Sequence, residues 1–256
     1  MAPDHKGLFS RGEKSFARTA APDHQGIVNS EGLTMQANKV LWDDIDFVLL
    51  DLDGTLLDKY FDDFFWEEFI PEQYALLKGI PVEAAKAEIY AGYQQQTGKL
   101  AWTDIDYWSR RWGLDIPALK ESVADRVAVH EGVFPFLEFV SSADKKVALL
   151  TNAHPKAVTV KLSRIPLRPF LDHIVCAHDV GYPKEEIGFW EAAQQRCGFD
   201  KTRSLFVDDH EVILIQARRF GIKHLLYKSH ASSRIPRDDS KEFVSIRNFN
   251  EITPSP

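Results

Sequence analysis

Short, continuous apolar runs that each end abruptly at a polar residue are the clearest pattern in this sequence. Runs of this length, without alternation, are typical of strands buried on both faces of a parallel sheet. We therefore predict five buried strands, with 243–246 as a candidate for a final edge strand. The five runs occupy residues 47–50, 147–150, 173–176, 204–207 and 224–227.

Helical spacing fills the gaps between the later strands. Pro155 opens a helix that continues through Val158 and Leu162. A second helix follows Lys184, and a third ends before the stop signal at Gly221. Alternating strands and helices are typical of a parallel sheet with helices on both faces. We predict an α/β, Rossmann-like core.

The stretch between the first two strands is too long for a single crossover and contains several helical patterns. Pro81 opens one helix, and Thr103 is the predicted N-cap of another, with Asp106 three residues on. Asp115 begins a third, with proline two residues later. We predict that residues 61–130 form an all-helical cap inserted after the first strand.

The beginning of the chain shows neither the helical nor the strand period. It is rich in glycine, serine, proline and charged residues, so we predict a disordered N-terminal extension. A transit peptide is an alternative, which the acidic residues of this stretch disfavour. The predicted parts of the chain are the extension 1–38, a core domain of 39–60 and 131–256, and the cap 61–130.

Charge and composition narrow the partners of this chain. The net charge is −7, with 44% hydrophobic and 27% charged residues. Nucleic acids and anionic membranes require a basic face, so this balance argues against both. No apolar run approaches the roughly 20 residues of a membrane helix, and the N-terminus lacks the apolar stretch of a secretory signal. We expect a cytoplasmic protein, whose oligomeric state the sequence leaves open.

Chemically active side chains follow the predicted strands at the point where each strand ends. Because ligands of parallel α/β sheets bind beyond the carboxyl ends of the strands, these side chains should share a site. One such aspartate alone is usually a turn or a helix cap, but a set drawn from three strand ends is not explained that way. The set comprises Asp51, Asp53, Thr151, Asn152, Asp208 and Asp209, with Lys184 in a later loop.

The four carboxyl groups of this set predict a metal ion. Acids that converge on one point repel each other, and a hard divalent cation is the simplest way to stabilise them. Mg²⁺ prefers oxygen ligands and keeps several waters, so a few carboxylates suffice. The lysine adds a positive charge for a phosphoryl oxygen. The set therefore indicates phosphoryl transfer.

Four phrases, in order along the chain, resemble the four motifs of the haloacid dehalogenase (HAD) superfamily. They are DLDGTLLD at 51–58, LLTN at 149–152, the lysine of GYPK at 181–184, and FVDD at 206–209. The resemblance implies a Rossmann-like core with a cap and a Mg²⁺-dependent hydrolase. An acid two residues after the nucleophile favours phosphate esters over the reaction of the related dehalogenases, because a leaving alkoxide needs a proton.

The resemblance also implies roles for individual residues. Asp51 would attack phosphorus and form an aspartyl phosphate, and Asp53 would protonate the leaving oxygen and then activate water. Thr151 and the backbone of Asn152 would hold phosphoryl oxygens, and Lys184 would neutralise charge and orient the nucleophile.

The metal ligands implied by the resemblance come from two of the motifs. Asp51, the carbonyl of Asp53, and Asp208 with Asp209 would hold Mg²⁺, directly or through water. Gly54 would permit the tight exit from the strand, and the following threonine, Thr55, would brace the acid at position 53.

Further phrases are similar to a bacterial group of HAD nucleotidases that hydrolyse GMP and IMP. This similarity implies a purine 5′-mononucleotide as substrate, with a HAD sugar-phosphate phosphatase or phosphomutase as the alternative and a non-catalytic phosphoacceptor module as a remote one. His210 departs from the group, where serine is common, and we expect it to cap the next helix rather than to alter metal contacts. The phrases are TNAHP at 151–155, GYPKE at 181–185, Phe61-Asp62, Phe65-Trp66, DYWS at 106–109 and GLDI at 113–116.

Aromatic residues of the predicted cap are candidates for stacking on a purine base. The cap should determine specificity because the core presents only a phosphate site. Aromatic side chains in a small helical bundle, however, mostly form its own core. The candidates are Trp66, Tyr93, Trp102, Tyr107, Trp108 and Trp112.

Overall fold

The computed structural model describes residues 40–235 and 238–254, so the predicted extension 1–38 lies outside the described residues. The described chain contains one parallel sheet of six strands in the order β3-β2-β1-β4-β5-β6. The α/β fold and the five predicted strands are confirmed. The strands are β1 (Phe47–Leu50), β2 (Lys146–Thr151), β3 (His173–Cys176), β4 (Ser204–Asp208), β5 (His224–Lys228) and β6 (Ser245–Ile246).

The central strand β1 fixes the register of the sheet. Leu50 lies opposite Leu149 of β2 and Val207 of β4. The carboxyl ends of these three strands therefore lie side by side at one edge. The predicted edge strand is present but shorter than expected, because β6 has only two residues.

Ten α-helices accompany the described strands. Six of them lie between β1 and β2, and we refer to the first five, α1–α5, as the helical segment. The helices are α1 (Tyr60–Phe64), α2 (Ile70–Lys78), α3 (Val82–Gln96), α4 (Ile105–Trp112), α5 (Ile116–Ser122), α6 (Val133–Ser142), α7 (Pro155–Arg164), α8 (Ala177–Val180), α9 (Ile187–Cys197) and α10 (Glu211–Phe220). A π-helical stretch, Phe65–Phe69, joins α1 to α2. Short 3₁₀ turns occupy Trp42–Asp44, Leu100–Thr103, Ala124–Arg126, Arg168–Phe170, Lys201–Arg203 and Phe249–Glu251.

Helix starts in the helical segment follow ordinary capping chemistry, with one correction. Asp115 caps α5 as predicted, accepting the backbone N–H of Ala118 at 3.1 Å. The predicted cap of α4 was wrong by one residue. Asp104, and not Thr103, accepts the backbone N–H groups of the first turn, at 2.9 Å each. Thr103 instead ends the 3₁₀ turn that precedes the helix, so it is not placed at the helix start.

Apolar side chains pack into three clusters. The alternation of side chains along β1 places Leu50 in a cluster on one face of the sheet and Leu49 in a second cluster on the other face. A third cluster belongs mainly to the helical segment and includes Tyr93, Trp108 and Trp112. A hydrophobic core of its own is what a separate cap would have, and the proposed boundaries at residues 61 and 130 remain a prediction. Among the described residues, no helix combines the length and apolarity that crossing a bilayer requires.

Candidate active site

Neighbouring strands of the sheet bring polar side chains to one edge. The backbone N–H of Asp51 continues the ladder past the end of β1 and donates to the carbonyl of Val207 at 3.1 Å. Thr151 is the last residue of β2 and Asp208 the last of β4. All three polar side chains are buried. The structure therefore places these three strand ends side by side, as the sequence predicts.

Lys184 joins two of these acids. Its Nζ lies 2.6 Å from Oδ1 of Asp51 and 2.7 Å from Oδ2 of Asp208. Two hydrogen bonds fix its backbone: its N–H donates to Oδ1 of Asn152 at 2.8 Å, and its carbonyl accepts the indole N–H of Trp190 at 2.8 Å. We refer to Asp51, Lys184 and Asp208 as the Lys184 cluster. The side chain of Asn152 thus holds the lysine loop, a contact that the sequence did not indicate.

The charges of this site favour a cation. Burial raises the pKa of Asp51 to about 7, and the neighbouring acids Asp208 and Asp209 add to this effect, although Lys184 opposes it. Burial alone would lower the pKa of Lys184, but Asp208 and Asp51 raise it. The lysine is therefore cationic, and its one positive charge is shared between the carboxyl groups of Asp51 and Asp208.

Consecutive residues after β4 supply a set of possible metal ligands. Asp208, Asp209 and His210 each offer an atom within 4.8 Å of the others. Both acids are completely buried. The set fits a divalent cation, because buried carboxylate oxygens that raise the pKa of a third acid are the donors that Mg²⁺ prefers. Of the acids predicted to share the ion, only the side chain of Asp53 is directed elsewhere, towards Lys161 at 2.6 Å.

His210 does not cap the next helix with its side chain, so that prediction was wrong. It occupies the N-cap position of α10 without a capping hydrogen bond from its ring. Instead, Nδ1 lies 2.8 Å from Oδ1 of Asp209, and its backbone N–H donates to Oδ1 of Asp208 at 2.8 Å. An imidazole held against a carboxylate is a common arrangement beside metal ions.

The turn after β1 requires a glycine. Gly54 has φ +95°, and a Cβ at this position would lie 2.6 Å from Oδ2 of Asp209. Glycine therefore permits both the turn and the approach of the acid. The prediction for Thr55 was wrong: its Oγ1 is buried and has no hydrogen-bond partner among the described residues, so it does not brace Asp53.

A second buried charge cluster surrounds Asp53. Nζ of Lys161, in α7, lies 2.6 Å from Oδ1 of Asp53 and 2.6 Å from Oδ2 of Asp62, in α1. Lys120, in α5, contacts the other oxygen of Asp62 at 2.6 Å. Both lysines are almost completely buried. We refer to Asp53, Asp62, Lys120 and Lys161 as the Lys161 cluster.

The pKa values in this cluster follow from burial and from the alternation of charge. Burial raises the pKa of Asp53, Lys161 opposes this and Asp62 adds to it. Burial alone would raise the pKa of Asp62 too, but Lys120 and Lys161 lower it well below its usual range. Burial lowers the pKa of Lys120 to about 8. Asp62 is therefore ionised, while Asp53 binds a proton more readily than an ordinary aspartate.

The prediction of site residues missed three members of the Lys161 cluster. A signal for one of them was present, because Lys161 lies three and four residues after Val158 and Ala157, on the buried face of α7. A lysine on an apolar stripe is rarely buried unless it is paired. Asp62 belongs to the Phe61-Asp62 pair named above, and nothing in the sequence relates it to Asp53.

A cavity of about 240 Å³ lies between the sheet edge and the helical segment. Its walls include the predicted residues Asp51, Asp53, Thr151, Asn152 and Lys184. Two of the aromatic candidates, Trp66 and Trp102, also contact it. In contrast, Tyr93, Trp108 and Trp112 are buried in the core of the helical segment, where the two indoles stack at 4.4 Å. Most of these aromatic side chains therefore stabilise the helical segment itself, as expected.

Another set of polar contacts joins the helical segment to the core at the surface. Nζ of Lys156, in α7, lies 2.8 Å from both carboxylate oxygens of Asp106, in α4. Nε2 of His178 lies 2.9 Å from Oγ1 of Thr103. Lys156 is half-exposed, in contrast to Lys161 on the same helix. The two lysines therefore make similar bridges in different environments.

The chain is similar to known hydrolases over most of its length. The family model for haloacid dehalogenase-like hydrolases matches residues 45–221. The GMP/IMP nucleotidase YrfG of Escherichia coli (strain K12) is 37% identical over 216 residues, which cover 84% of this chain and 97% of that protein.

Two further similar proteins differ in how much of this chain they cover. The (S)-2-haloacid dehalogenase of Pseudomonas sp. (strain YL) is 28% identical over 136 residues, 52% of this chain and 57% of that protein. The crystal structure of a HAD phosphatase from Thermococcus onnurineus superposes with a TM-score of 0.70 at 20% identity, covering 81% of this chain and 95% of that one. The second comparison agrees with the fold described above.

Proposed function

This chain belongs to the haloacid dehalogenase-like hydrolase family, and we propose that it is a Mg²⁺-dependent phosphatase of purine 5′-mononucleotides that acts through an aspartyl phosphate. The observation that carries the proposal is the Lys184 cluster. A buried lysine lies 2.6 Å from Asp51 and 2.7 Å from Asp208, at the end of two neighbouring strands and on the wall of a cavity.

In the first half-reaction, Asp51 is the nucleophile. A carboxylate oxygen of Asp51 forms a bond to phosphorus while the bond between phosphorus and the ester oxygen breaks. Asp53 donates its proton to the leaving alkoxide, which departs as the nucleoside. Burial raises the pKa of Asp53 above its ordinary value, which is the direction that a proton donor requires.

In the second half-reaction, Asp53 acts as a base. It takes a proton from water, whose oxygen attacks the phosphorus of the aspartyl phosphate. Phosphate leaves and the carboxylate of Asp51 is restored. Lys184 keeps this carboxylate oriented, while the hydroxyl of Thr151 and the backbone of Asn152 hold phosphoryl oxygens on the same wall of the cavity.

Asp51, the carbonyl of Asp53, Asp208 and Asp209 would hold the metal ion. Mg²⁺ would offset the negative charge of the phosphoryl group and of these acids. The fit rests on the two completely buried acids after β4 and on the raised pKa of Asp51. Gly54 supports the same assignment, since it lets Asp209 approach the turn that carries Asp51 and Asp53.

The substrate assignment rests on the nucleotidase relative and on the cavity. The relative is named for GMP and IMP, and its 37% identity extends over 84% of this chain. The walls contributed by the helical segment include Trp66 and Trp102, whose rings offer a flat apolar surface for a purine. We assign the protein to the cytoplasm, where such mononucleotides are metabolites.

A substrate panel tests the proposal. Phosphate release is measured from purine and pyrimidine nucleoside monophosphates and from hexose phosphates, with Mg²⁺ and with EDTA, and Asp51→Asn shows that the activity belongs to this protein. We expect GMP and IMP to be preferred and EDTA to abolish release. A preference for hexose phosphates would overturn the substrate assignment, and a stable phosphoprotein without turnover would favour a phosphoacceptor.

A further inference from the structure

We propose that Lys161 is a positioning residue for Asp53, and that Asp62 makes this positioning depend on contact between the helical segment and the core. The inference rests on the proposed function, because it concerns the group that protonates the leaving oxygen. It adds that Asp53 is held in place by a lysine from α7 which is itself held by an acid from α1.

One ammonium group connects the two parts of the protein. Lys161 lies 2.6 Å from Asp53, on the turn after β1, and equally close to Asp62, in the helical segment. Asp62 is held from its other oxygen by Lys120, also of the helical segment. The order of charges, acid, lysine, acid, lysine, therefore runs from the candidate general acid into the helical segment without a break.

Stability alone is a weak reason for this arrangement. Removing paired charges from water costs free energy that their attraction barely offsets, and well-packed apolar side chains are often as good or better. The cluster nevertheless buries two lysines. All four members line the cavity, and Asp53, with its side chain 22% exposed, is the one on the turn that also carries Asp51. Lys161 contacts one oxygen of that carboxyl group, which leaves the second oxygen for the reacting atoms.

The two candidate catalytic acids thus have separate lysines. Lys184 contacts Asp51, and Lys161 contacts Asp53. Both carboxylate partners of Lys184 lie at the sheet edge, whereas one of the two partners of Lys161, Asp62, belongs to the helical segment. When this segment is displaced, the nucleophile would keep its partner, but the partner of Asp53 would lose its second carboxylate. Asp53 would then be correctly held only while the helical segment is packed against the core, where it excludes water from the cavity.

The leaving group distinguishes positioning from a structural role. An aryl phosphate such as p-nitrophenyl phosphate releases a stable phenolate and needs little help from an acid, whereas an alkyl ester such as GMP needs a proton. Because kcat/KM includes only the steps up to loss of the leaving group, it reports the acid function of Asp53 and not its later role as a base.

The experiment compares Lys161→Met with wild type on both esters. We expect kcat/KM for GMP, or for the alkyl ester that wild type prefers, to fall on the order of 10²-fold, and the fall for p-nitrophenyl phosphate to be at least about tenfold smaller. Equal losses on the two esters, or no loss on either, would overturn the proposal. Failure of the proposed function is distinguishable, since wild type would then release no phosphate from GMP.

Two further variants keep the test decisive. Lys156→Met is the matched control, because this lysine of the same helix also bridges to the helical segment, through Asp106, without touching Asp53. We expect kcat/KM to change by less than about twofold on either ester.

Asp62→Asn preserves the shape of the side chain. It should show the same ester dependence as Lys161→Met, with a smaller loss of kcat/KM. If Asp62→Asn affects both esters equally, the link to the helical segment is wrong, even where Lys161→Met fails to fold.

A double-mutant cycle gives an independent measure. When Asp53 is already Asn, Lys161→Met should cause little additional loss of kcat/KM, because the group it positions is absent. A loss in the Asp53→Asn background as large as in wild type would show that Lys161 acts through something other than Asp53.

Discussion

The Lys184 cluster and the Lys161 cluster contain the same chemical groups, but they are assembled in different ways. Every member of the Lys184 cluster lies at the carboxyl edge of one sheet, at a strand end or in a loop beyond it. The Lys161 cluster draws Asp62 and Lys120 from the helical segment, and Asp53 and Lys161 from the core. The nucleophile is therefore held by groups of the sheet edge alone, whereas Asp53, the proposed acid and base, is held by a lysine that also depends on packing between two parts of the chain.

The largest effect should come from the Lys184 cluster. Asp51→Asn removes the nucleophile, and we expect phosphate release to fall by roughly 10³-fold or more on every ester, because no other group can form the covalent intermediate. Steady-state phosphate assays on aryl and alkyl esters measure this. Retention of wild-type rates by a folded Asp51→Asn protein would remove the basis for treating this cluster as the reacting centre.

The next effect belongs to the Lys161 cluster. Asp53→Asn removes the proton donor but leaves the nucleophile and Lys184 in place. We expect kcat/KM for GMP to fall by roughly 10²–10⁴-fold, and less for p-nitrophenyl phosphate. The ratio of the two losses is the measurement, and Asp51→Asn, which should affect both esters alike, is its control. Identical ratios for the two variants would mean that the clusters do not divide the chemistry as we propose.

The different assembly of the two clusters explains why the sequence predicted the Lys184 cluster but not the Lys161 cluster. Asp51, Thr151 and Asp208 could be placed together because each follows an apolar run, and adjacent parallel strands end at the same edge. Lys184 was identified by its motif, although its contact with Asn152 was not predicted. The strand-end residues needed only the position of each strand end, whereas Lys184 also needed the motif.

The Lys161 cluster could not be assembled in this way. Lys161 and Asp62 are 99 positions apart, on helices whose relative position depends on packing of the helical segment. A charged residue on a helix is normally solvated, so the pattern alone did not identify its partner. The shift of the α4 cap from Thr103 to Asp104 has a similar cause, because both residue types cap helices and a preceding 3₁₀ turn decided between them.

A smaller effect should come from the outer end of the Lys161 cluster. Lys120→Met leaves Asp62 in contact with Lys161 but removes one of its two ion pairs. We expect the free energy of unfolding to fall by roughly 1–3 kcal/mol, measured by urea denaturation. The loss of kcat/KM on GMP should be several times smaller than that of Lys161→Met. An equal loss would move the positioning role from Lys161 to the whole network.

The smallest effect on turnover should come from His210. His210→Ser removes the contact between the imidazole ring and Asp209, 2.8 Å away, but none of the proposed reacting groups. We expect Mg²⁺ to bind roughly tenfold more weakly, with kcat at saturating Mg²⁺ nearly unchanged. Calorimetric titration of Mg²⁺ measures the affinity directly. Unchanged affinity would show that the ring serves only the local structure after β4.

Capture of the phosphoryl group tests the central assignment most directly. Wild-type protein and Asp53→Asn are mixed with p-nitrophenyl phosphate and Mg²⁺, quenched in acid within the first turnovers, and digested for mass spectrometry. We expect one phosphoryl group on the peptide that contains Asp51, enriched in Asp53→Asn because activation of water is slowed. Phosphate release without any modified peptide, or modification of a peptide that lacks Asp51, would contradict the account.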